Sequence, residues 1–440
     1  MQSYLEAELE AWRVLLHRVA IDATLGVYAA SIAVMTLYAL WYVAGLAAFL
    51  SSGTPRPRWR PPVLRAPLGP GWPRVAVVYP VYNDYEILAS LEKALRMDYP
   101  DYFVIVVDDS SDPGLVFELA KLSLREPRLV HLRRPGRRGL KAGALNDAAR
   151  LAADRGAKYM LVLDADFEPP RWLLRGLVSV AEETGADLVQ GHQRHRKGAR
   201  GVFGRLYRAG MAGAAVFMAG RAVLDMFPIF TGSVGLLRVD AVLETPLREG
   251  SISEDLRWSI DRVLDTCGAA RFVAVEWAYA DGSVPKSLKA YWRQQLRWSS
   301  GTLLETLSSL PGFLAAPGIG FWQKAGFLLQ GFFFAQGVAV YAATLAPLAY
   351  RLLAGAPLAP LWYLGVYIWL TAILAIVLAG AIGEGYRWRD LALVAAAVIP
   401  MVYVSGLIHA WGTVRVLLGR GREWVVTPKR GRYEHLYGEE

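Results

Sequence analysis

Two carboxylates stand two residues apart in Leu163-Asp164-Ala165-Asp166, at the end of an apolar run. Hard divalent cations take oxygen ligands, and Mg²⁺ commonly uses one or two carboxylates completed by substrate phosphates. A DxD triplet alone is a weak signal, because acidic pairs that follow strands are often solvated turns. It gains weight from Asp108-Asp109-Ser110-Ser111, a second acidic cluster behind a separate apolar run. Two such clusters suit a metal-bound diphosphate and its nucleoside. Gly139-Leu140-Lys141-Ala142-Gly143-Ala144-Leu145-Asn146 reads as a glycine turn entering a helix, where free N–H groups and a lysine can face a phosphate or sugar. A plain loop and helix cap has the same pattern. Ser251-Ile252-Ser253-Glu254-Asp255 carries a further acidic pair near a helix start, where capping is the simpler role. In Gln294-Gln295-Leu296-Arg297-Trp298, helical spacing puts Gln294, Arg297 and Trp298 within about one turn. Arginine can clamp a phosphate, and an indole face can stack on a sugar ring.

These residues need elements to hold them. From Arg74 onward, short β-rich runs at 75–79, 103–107, 129–132 and 159–163 alternate with helical stretches near 86–96, 115–125, 141–154 and 171–184. Such alternation implies right-handed crossovers and a mainly parallel α/β sheet. Ligands bind such sheets at the carboxyl ends of the strands, so Asp108, Asp109, Asp164 and Asp166 are expected to face one crevice.

The chain of 440 residues is 54% hydrophobic, and its apolar residues gather at the two ends. Residues 23–50 carry no charge and are long enough to span a bilayer, which needs about 20 apolar residues. Ahead of them, Leu5, Leu9, Trp12, Leu16 and Val19 recur at helical spacing, so 1–22 read as an amphipathic helix. Glu6, Glu8 and Glu10 occupy the place of a basic n-region, so no cleavable signal peptide is expected. Residues 51–73, rich in Pro, Gly and Arg, read as a linker on the positive, cytoplasmic side. The catalytic unit is expected over 74–310. Within it, 199–230 are apolar but hold Arg200, Arg205, Arg208, Arg221 and Asp225, which favours an interfacial helix over a span. A membrane region over 311–418 has apolar stretches at about 322–350, 360–383 and 391–418, followed by a tail at 419–440. If all three crossed, the tail would lie opposite the catalytic unit. Pro400, His409 and Arg415 sit in the third, which is therefore read as interfacial or re-entrant.

The net charge of +9 is compatible with nucleic acid, acidic lipid or anionic substrates. Its position decides: Arg56, Arg58, Arg60 and Arg65 follow one apolar segment, and Arg420, Arg422, Lys429, Arg430 and Arg432 follow another. That is juxtamembrane charge, and no nucleic-acid partner is expected. The single cysteine, Cys267, excludes an internal disulfide and a cysteine-rich metal site, and reads as a small buried hydrophobe. His192 and His195 read as polar loop residues rather than zinc ligands, since no second ligand cluster accompanies them.

Taken in order, Val78-Tyr79-Pro80-Val81-Tyr82-Asn83, Asp108-Asp109, Lys141-Ala142-Gly143, Asp164-Ala165-Asp166, Thr231-Gly232-Ser233, Glu254-Asp255 and QxxRW resemble family 2 glycosyltransferases, in particular their cellulose synthase-like membrane branch. Trp424-Val425-Val426-Thr427-Pro428-Lys429 resembles that branch's gating loop, with Trp in place of the usual Phe. The resemblance spans about 74–430. It implies a GT-A type, Rossmann-like catalytic domain and inverting transfer from a nucleotide sugar, UDP-glucose or GDP-mannose among them, with Mg²⁺ or Mn²⁺. By matching positions it implies donor contacts from Pro80, Tyr82, Asp108, Asp109, Lys141, Asp164, Gln294 and Arg297. Thr427 and Lys429 would close over the donor. Asp164 and Asp166 would hold the metal, Asp255 would be the general base, and Trp298 and Glu254 would lie on the acceptor side. The apolar segments hold few ionisable residues, which disfavours a transporter subunit. Between acceptors, few membrane helices favour single-sugar transfer to a lipid-linked glycan over a processive polysaccharide synthase. An integral membrane protein with a cytoplasmic catalytic domain is expected.

Overall fold

The computed structural model describes residues 2–52, 71–134, 136–198 and 201–420. Among them, β1 (Val75–Val81), β2 (Tyr102–Asp108), β3 (Leu129–Arg133) and β4 (Tyr159–Val162) form the parallel half of a seven-stranded sheet. Runs such as Phe103-Val104-Ile105-Val106-Val107 are buried on both faces, so they do not alternate with polar residues. The sheet continues with β5 (Leu188–Lys197), β6 (Gly235–Arg238) and β7 (Phe272–Ser283), in the order β3-β2-β1-β4-β6-β5-β7. β6 runs antiparallel to both neighbours, and β5 pairs parallel with β7. The chain leaves β1 toward β2 and β3, then returns to β4 on the other side of β1. That switch point opens a crevice at the carboxyl ends of β1 and β4.

Helices cover both faces of the sheet. On one lie α2 (Ile87–Ala94), α3 (Pro113–Arg125) and α5 (Leu173–Thr184), through Leu91, Leu119 and Leu177. On the other lie α4 (Leu140–Asp154), α7 (Val239–Glu244) and α8 (Glu254–Asp265), through Ala148, Val242 and Trp258. The same core takes Phe313 of α9 (Leu288–Ala315) and Phe327 of α10 (Phe321–Gly331).

The N-terminal region is one helix, α1 (Gln2–Ser51), which joins the expected amphipathic and spanning segments without a break. At 1.5 Å per residue it is about 75 Å long. The next apolar stretch, 322–350, is divided: α10 packs into the core of the sheet through Phe327, and a short 3-10 turn at Phe333–Ala335 precedes α11 (Gln336–Ala354). α12 (Leu364–Gly383) and α13 (Trp388–Leu417) follow. Four helices, at Glu8–Ser51, Phe333–Ala354, Pro360–Gly383 and Trp388–Leu417, are long and apolar enough to cross a membrane.

The expected interfacial segment contains α6 (Gly201–Val223), wedged between the sheet and the apolar helices. Its arginines have internal partners. Arg205 pairs with Asp390 at 3.0 Å, Arg208 with Glu384, and Arg221 donates to the carbonyls of Met226 and Phe227 and to Gln330. α13 is a single continuous helix rather than a re-entrant pair. Its first turn meets α6 through Asp390, and its later turns meet α9, where His409 bonds Gln295 at 3.1 Å and Gly412 abuts Ser299.

Two readings of single residues need correction. Cys267 is exposed, because it lies just past the end of α8 with φ of 51°. His192 and His195 are buried on β5 rather than in a loop. A polar-looking run is carried into the sheet because Arg194 pairs with Asp281 across the strands and His195 Nδ1 meets the Ser283 carbonyl at 2.8 Å.

Candidate active site

The loop after β1 is stitched to the loop after β2. Asn83 Oδ1 accepts from the backbone N–H of Ser111 and Asp112, each at 2.9 Å, and the Asn83 N–H donates to Ser110 Oγ at 3.0 Å. Beside it, Arg137 stacks on the Tyr82 ring, 3.5 Å from its centroid. This forms one wall of the crevice.

The four carboxylates after β2 and β4 do not share one open face. Asp108 is fully buried, its carboxylate taken by His131 at 2.9 Å and the Ser110 N–H at 2.8 Å. Burial works against its charge, but those hydrogen bonds outweigh it and hold its pKa below the usual value. Asp109 is clamped by Arg134, which donates through Nε at 2.8 Å and Nη2 at 2.5 Å. Asp166 is buried too, accepting from the Ser283 N–H at 3.2 Å. Asp164, with its side chain 35% exposed, is the most open of the four. The parallel strands place all four at one end of the sheet, but the neighbouring β3 and β7 supply partners that turn three of them inward.

Lys141 ties the centre together. α4 begins after Gly139, at φ of 65°, and points the Lys141 ammonium into the crevice. Its Nζ lies 2.7 Å from Asp164 Oδ1, 2.7 Å from the Gly232 carbonyl and 3.8 Å from Glu254. Gly232, at φ of 82°, sits against Asp255, whose Oδ2 would lie 2.9 Å from any Cβ added there. A side chain would therefore push the Gly232 carbonyl off Lys141. Burial disfavours the ammonium, yet Asp164, Glu254 and Asp255 together raise its pKa.

Glu254 and Asp255 form the first turn of α8. Burial raises the pKa of Glu254, reinforced by the charge of Asp255, to about 7 against the pull of Lys141 and Arg297. Asp255 is likewise raised by burial, while Lys141, the Leu256 N–H and Arg297 act to lower it. Arg297 is thus electrostatically part of the centre, and its buried Nε has no hydrogen-bond partner among the described residues. Gln294, one turn earlier on α9, accepts from the Tyr207 hydroxyl of α6 at 2.9 Å, and Trp298 is half-buried beside them. Thr427 and Lys429 lie outside the described residues.

Asp164 and Asp166 fit a hard divalent cation. Two carboxylates at one strand end, with one open to the crevice, leave the remaining positions to phosphate oxygens and water. No group of three His, Cys, Asp or Glu suited to a metal occurs among the described residues, so a cation here would take its further ligands from the donor. Three positioning residues escaped the sequence reading: His131, Arg134 and Tyr207. Arg134 follows a strand on the ligand side of the sheet and was findable from that placement. Tyr207 lies in an apolar helix where spacing gives no signal.

Comparison with known proteins agrees with this geometry. Residues 76–244 match the glycosyl transferase family 2 description. Glucomannan 4-beta-mannosyltransferase 7 of Arabidopsis thaliana is 26% identical over 82% of this chain and 65% of its own length. Probable glucomannan 4-beta-mannosyltransferase 3 of Oryza sativa subsp. japonica is 28% identical over 61% of this chain and 50% of its own. The chain thus spans about half to two thirds of the length of these curated relatives. Among solved structures, a mannosyltransferase from Pyrobaculum calidifontis in complex with GDP-Man and Mn²⁺ superposes with a TM-score of 0.58 at 19% identity, covering 89% of this chain and 99% of that one. The likeness establishes a GT-A type fold. Residues 76–244 thus match a glycosyl transferase family 2 domain, and with the ordered motifs running from Val78 to Trp298 the chain resembles the cellulose synthase-like branch of that family.

Proposed function

We propose that this protein moves a mannosyl group from GDP-mannose, with inversion, to a carbohydrate acceptor held at a membrane surface, and that its catalytic unit faces the cytoplasm. The observation that carries this reading is the Lys141 bridge, which brings the DxD carboxylate Asp164 and the Glu254-Asp255 pair around one cation. Donor-side and acceptor-side motifs, far apart in sequence, thereby meet in one crevice.

Asp164 and Asp166 would hold a divalent ion, Mn²⁺ or Mg²⁺, whose chemistry is to neutralise the departing diphosphate. Arg297 has an unpartnered donor for the same anion. Tyr207 holds Gln294 through its side-chain oxygen, which leaves the amide N–H₂ to face a phosphate. Asp255 takes the proton from the acceptor hydroxyl. As it does so, the hydroxyl oxygen bonds to the anomeric carbon from the face opposite the diphosphate. The bond from that carbon to the phosphate oxygen breaks, and its electron pair leaves on the nucleotide. Burial raises the pKa of Asp255, and Lys141 and Arg297 act against that rise.

Mannose and guanosine rest on the relatives' names and on the ligand of the Pyrobaculum structure. For the acceptor we favour a lipid-linked glycan receiving one sugar. Processive glucomannan-like polymerisation is the second reading, favoured by those same relatives. A panel of labelled nucleotide sugars with Mn²⁺, Mg²⁺ or excess chelator tests the proposal. We expect turnover of GDP-mannose, its loss in chelator and its recovery with Mn²⁺. Full activity in chelator would remove the metal role, and turnover of UDP-glucose alone would remove mannose. Chromatography of the product then separates an organic-extractable glycolipid from a polymer.

A further inference from the structure

A cavity of about 380 Å³ lies among the apolar helices, away from the crevice. Its size is within the ~300–1,000 Å³ of small-molecule sites, and a single helix supplies much of its lining. One wall is a stripe of α11, Val340, Ala343, Thr344, Pro347, Leu348 and Arg351, which stand at i, i+3, i+4, i+7, i+8 and i+11 on one face of the helix. Along the helix axis that stripe is about 16 Å long. Met35 of α1 and Val366, Trp369 and Leu370 of α12 line it as well. Tyr403 of α13 lines it too, within 3.1 Å of Thr344 through its hydroxyl, while Arg351 and Pro357 stand toward the other end. The groove is apolar along its length with a cation at one end.

Arg351 is in no ion pair among the described residues. The sequence holds no Asp or Glu between Glu305 and Glu384. Among the described residues, its exposed side chain forms no ion pair or hydrogen bond. α11 runs away from the catalytic unit. Its first residue, Gln336, is bonded to Tyr42 toward the linker end of α1, and Arg351 lies about 22 Å farther along. A headgroup at Arg351 is therefore beyond reach of transfer at Asp255, so the occupant is not the acceptor. A simple snorkelling arginine accounts for the cation but not for a preformed trough leading up to it.

We propose that this groove is a binding site for one acyl chain of an anionic phospholipid, with its phosphate held by Arg351 in the leaflet remote from the catalytic unit. The site rests on α1, α11 and α12 crossing the bilayer, and is independent of the donor and acceptor assigned above. Native mass spectrometry tests it on the full chain in detergent, after incubation with equimolar phosphatidylglycerol and phosphatidylcholine of matched chains. Wild-type protein is expected to retain one phosphatidylglycerol by about fivefold over phosphatidylcholine, the effect of one basic residue at a lipid surface. Arg351→Gln, on the surface and harmless to folding, should abolish that preference. Ala343→Leu should lower retention of both lipids, with an unchanged melting temperature verifying its fold. An undiminished preference in Arg351→Gln would overturn the proposal. So would equal retention of the two lipids by wild-type protein, or displacement of both by a polyprenyl phosphate.

Discussion

At the residue scale the roles proposed for Asp166, in holding the metal, and for Asp255, as the base, predict different mutant behaviour. Asp255→Asn keeps the shape of the side chain but cannot accept the hydroxyl proton. Loss of a general base costs about 10²-fold to 10⁴-fold in rate. Transfer by Asp255→Asn should fall by that factor, while calorimetric titration with GDP and Mn²⁺ remains near wild type; Asp166→Asn should lose both. Wild-type transfer by Asp255→Asn would move the base elsewhere, with Glu254 next to test. Glu254 and Asp255 are adjacent carboxyls, and burial raises the pKa of both. The base must be deprotonated, so kcat/KM should rise with pH along an acid limb above the ordinary carboxylate range. Glu254→Gln removes a like charge beside the base. It should shift that limb to lower pH by on the order of one unit. An unmoved limb would show that the two carboxyls act separately.

At the element scale, the crossing of α1 and α6 is set by backbone contact. A Cβ on Gly220 would collide with the Gly45 carbonyl, whereas one on Gly210 of the same helix meets nothing within 4 Å. Small residues permit such close approach where apolar helices pack. Arg221 is buried at this crossing and holds the turn after α6 through the Phe227 carbonyl. Gly220→Ala should therefore cost about 1–3 kcal/mol, the usual penalty of overpacking, and lower the melting temperature in detergent. Gly210→Ala should hold or raise it, since alanine favours a helix by about 1 kcal/mol. Equal behaviour of the two variants would mean that α1 and α6 separate easily.

At the scale of the whole molecule the packing of α13 bears on which helices cross. α13 has the length and composition of a span, yet both its early and late turns pack on elements attached to the catalytic unit, α6 and α9. We propose that α13 lies along the membrane face on that side, leaving the chain beyond Leu417 on the same side as the catalytic unit. Single cysteines at Ser52 and Arg420, placed in a Cys267→Ser background, should react with an impermeant thiol reagent from the same side of sealed vesicles. Labelling from opposite sides would establish α13 as a crossing helix.

The α/β order, the first four strands and the identity of the ordered motifs were legible in the sequence. Apolar runs with short connections fix the period locally, and motif order survives without knowledge of packing. β5, β6 and β7 were not legible. β5 carries His192, Arg194, His195 and Arg196 into the sheet, where cross-strand partners satisfy them, so its composition reads as a loop. The same cause hid the states of Asp108 and Asp109: sequence gave their place at a strand end, but only β3 brings His131 and Arg134 to occupy them. Packing also decided that Lys141 joins Asp164 to Glu254, residues separated by ninety positions along the chain. Such contacts depend on how helices and strands from distant segments are laid against one another, and local spacing carries no record of that.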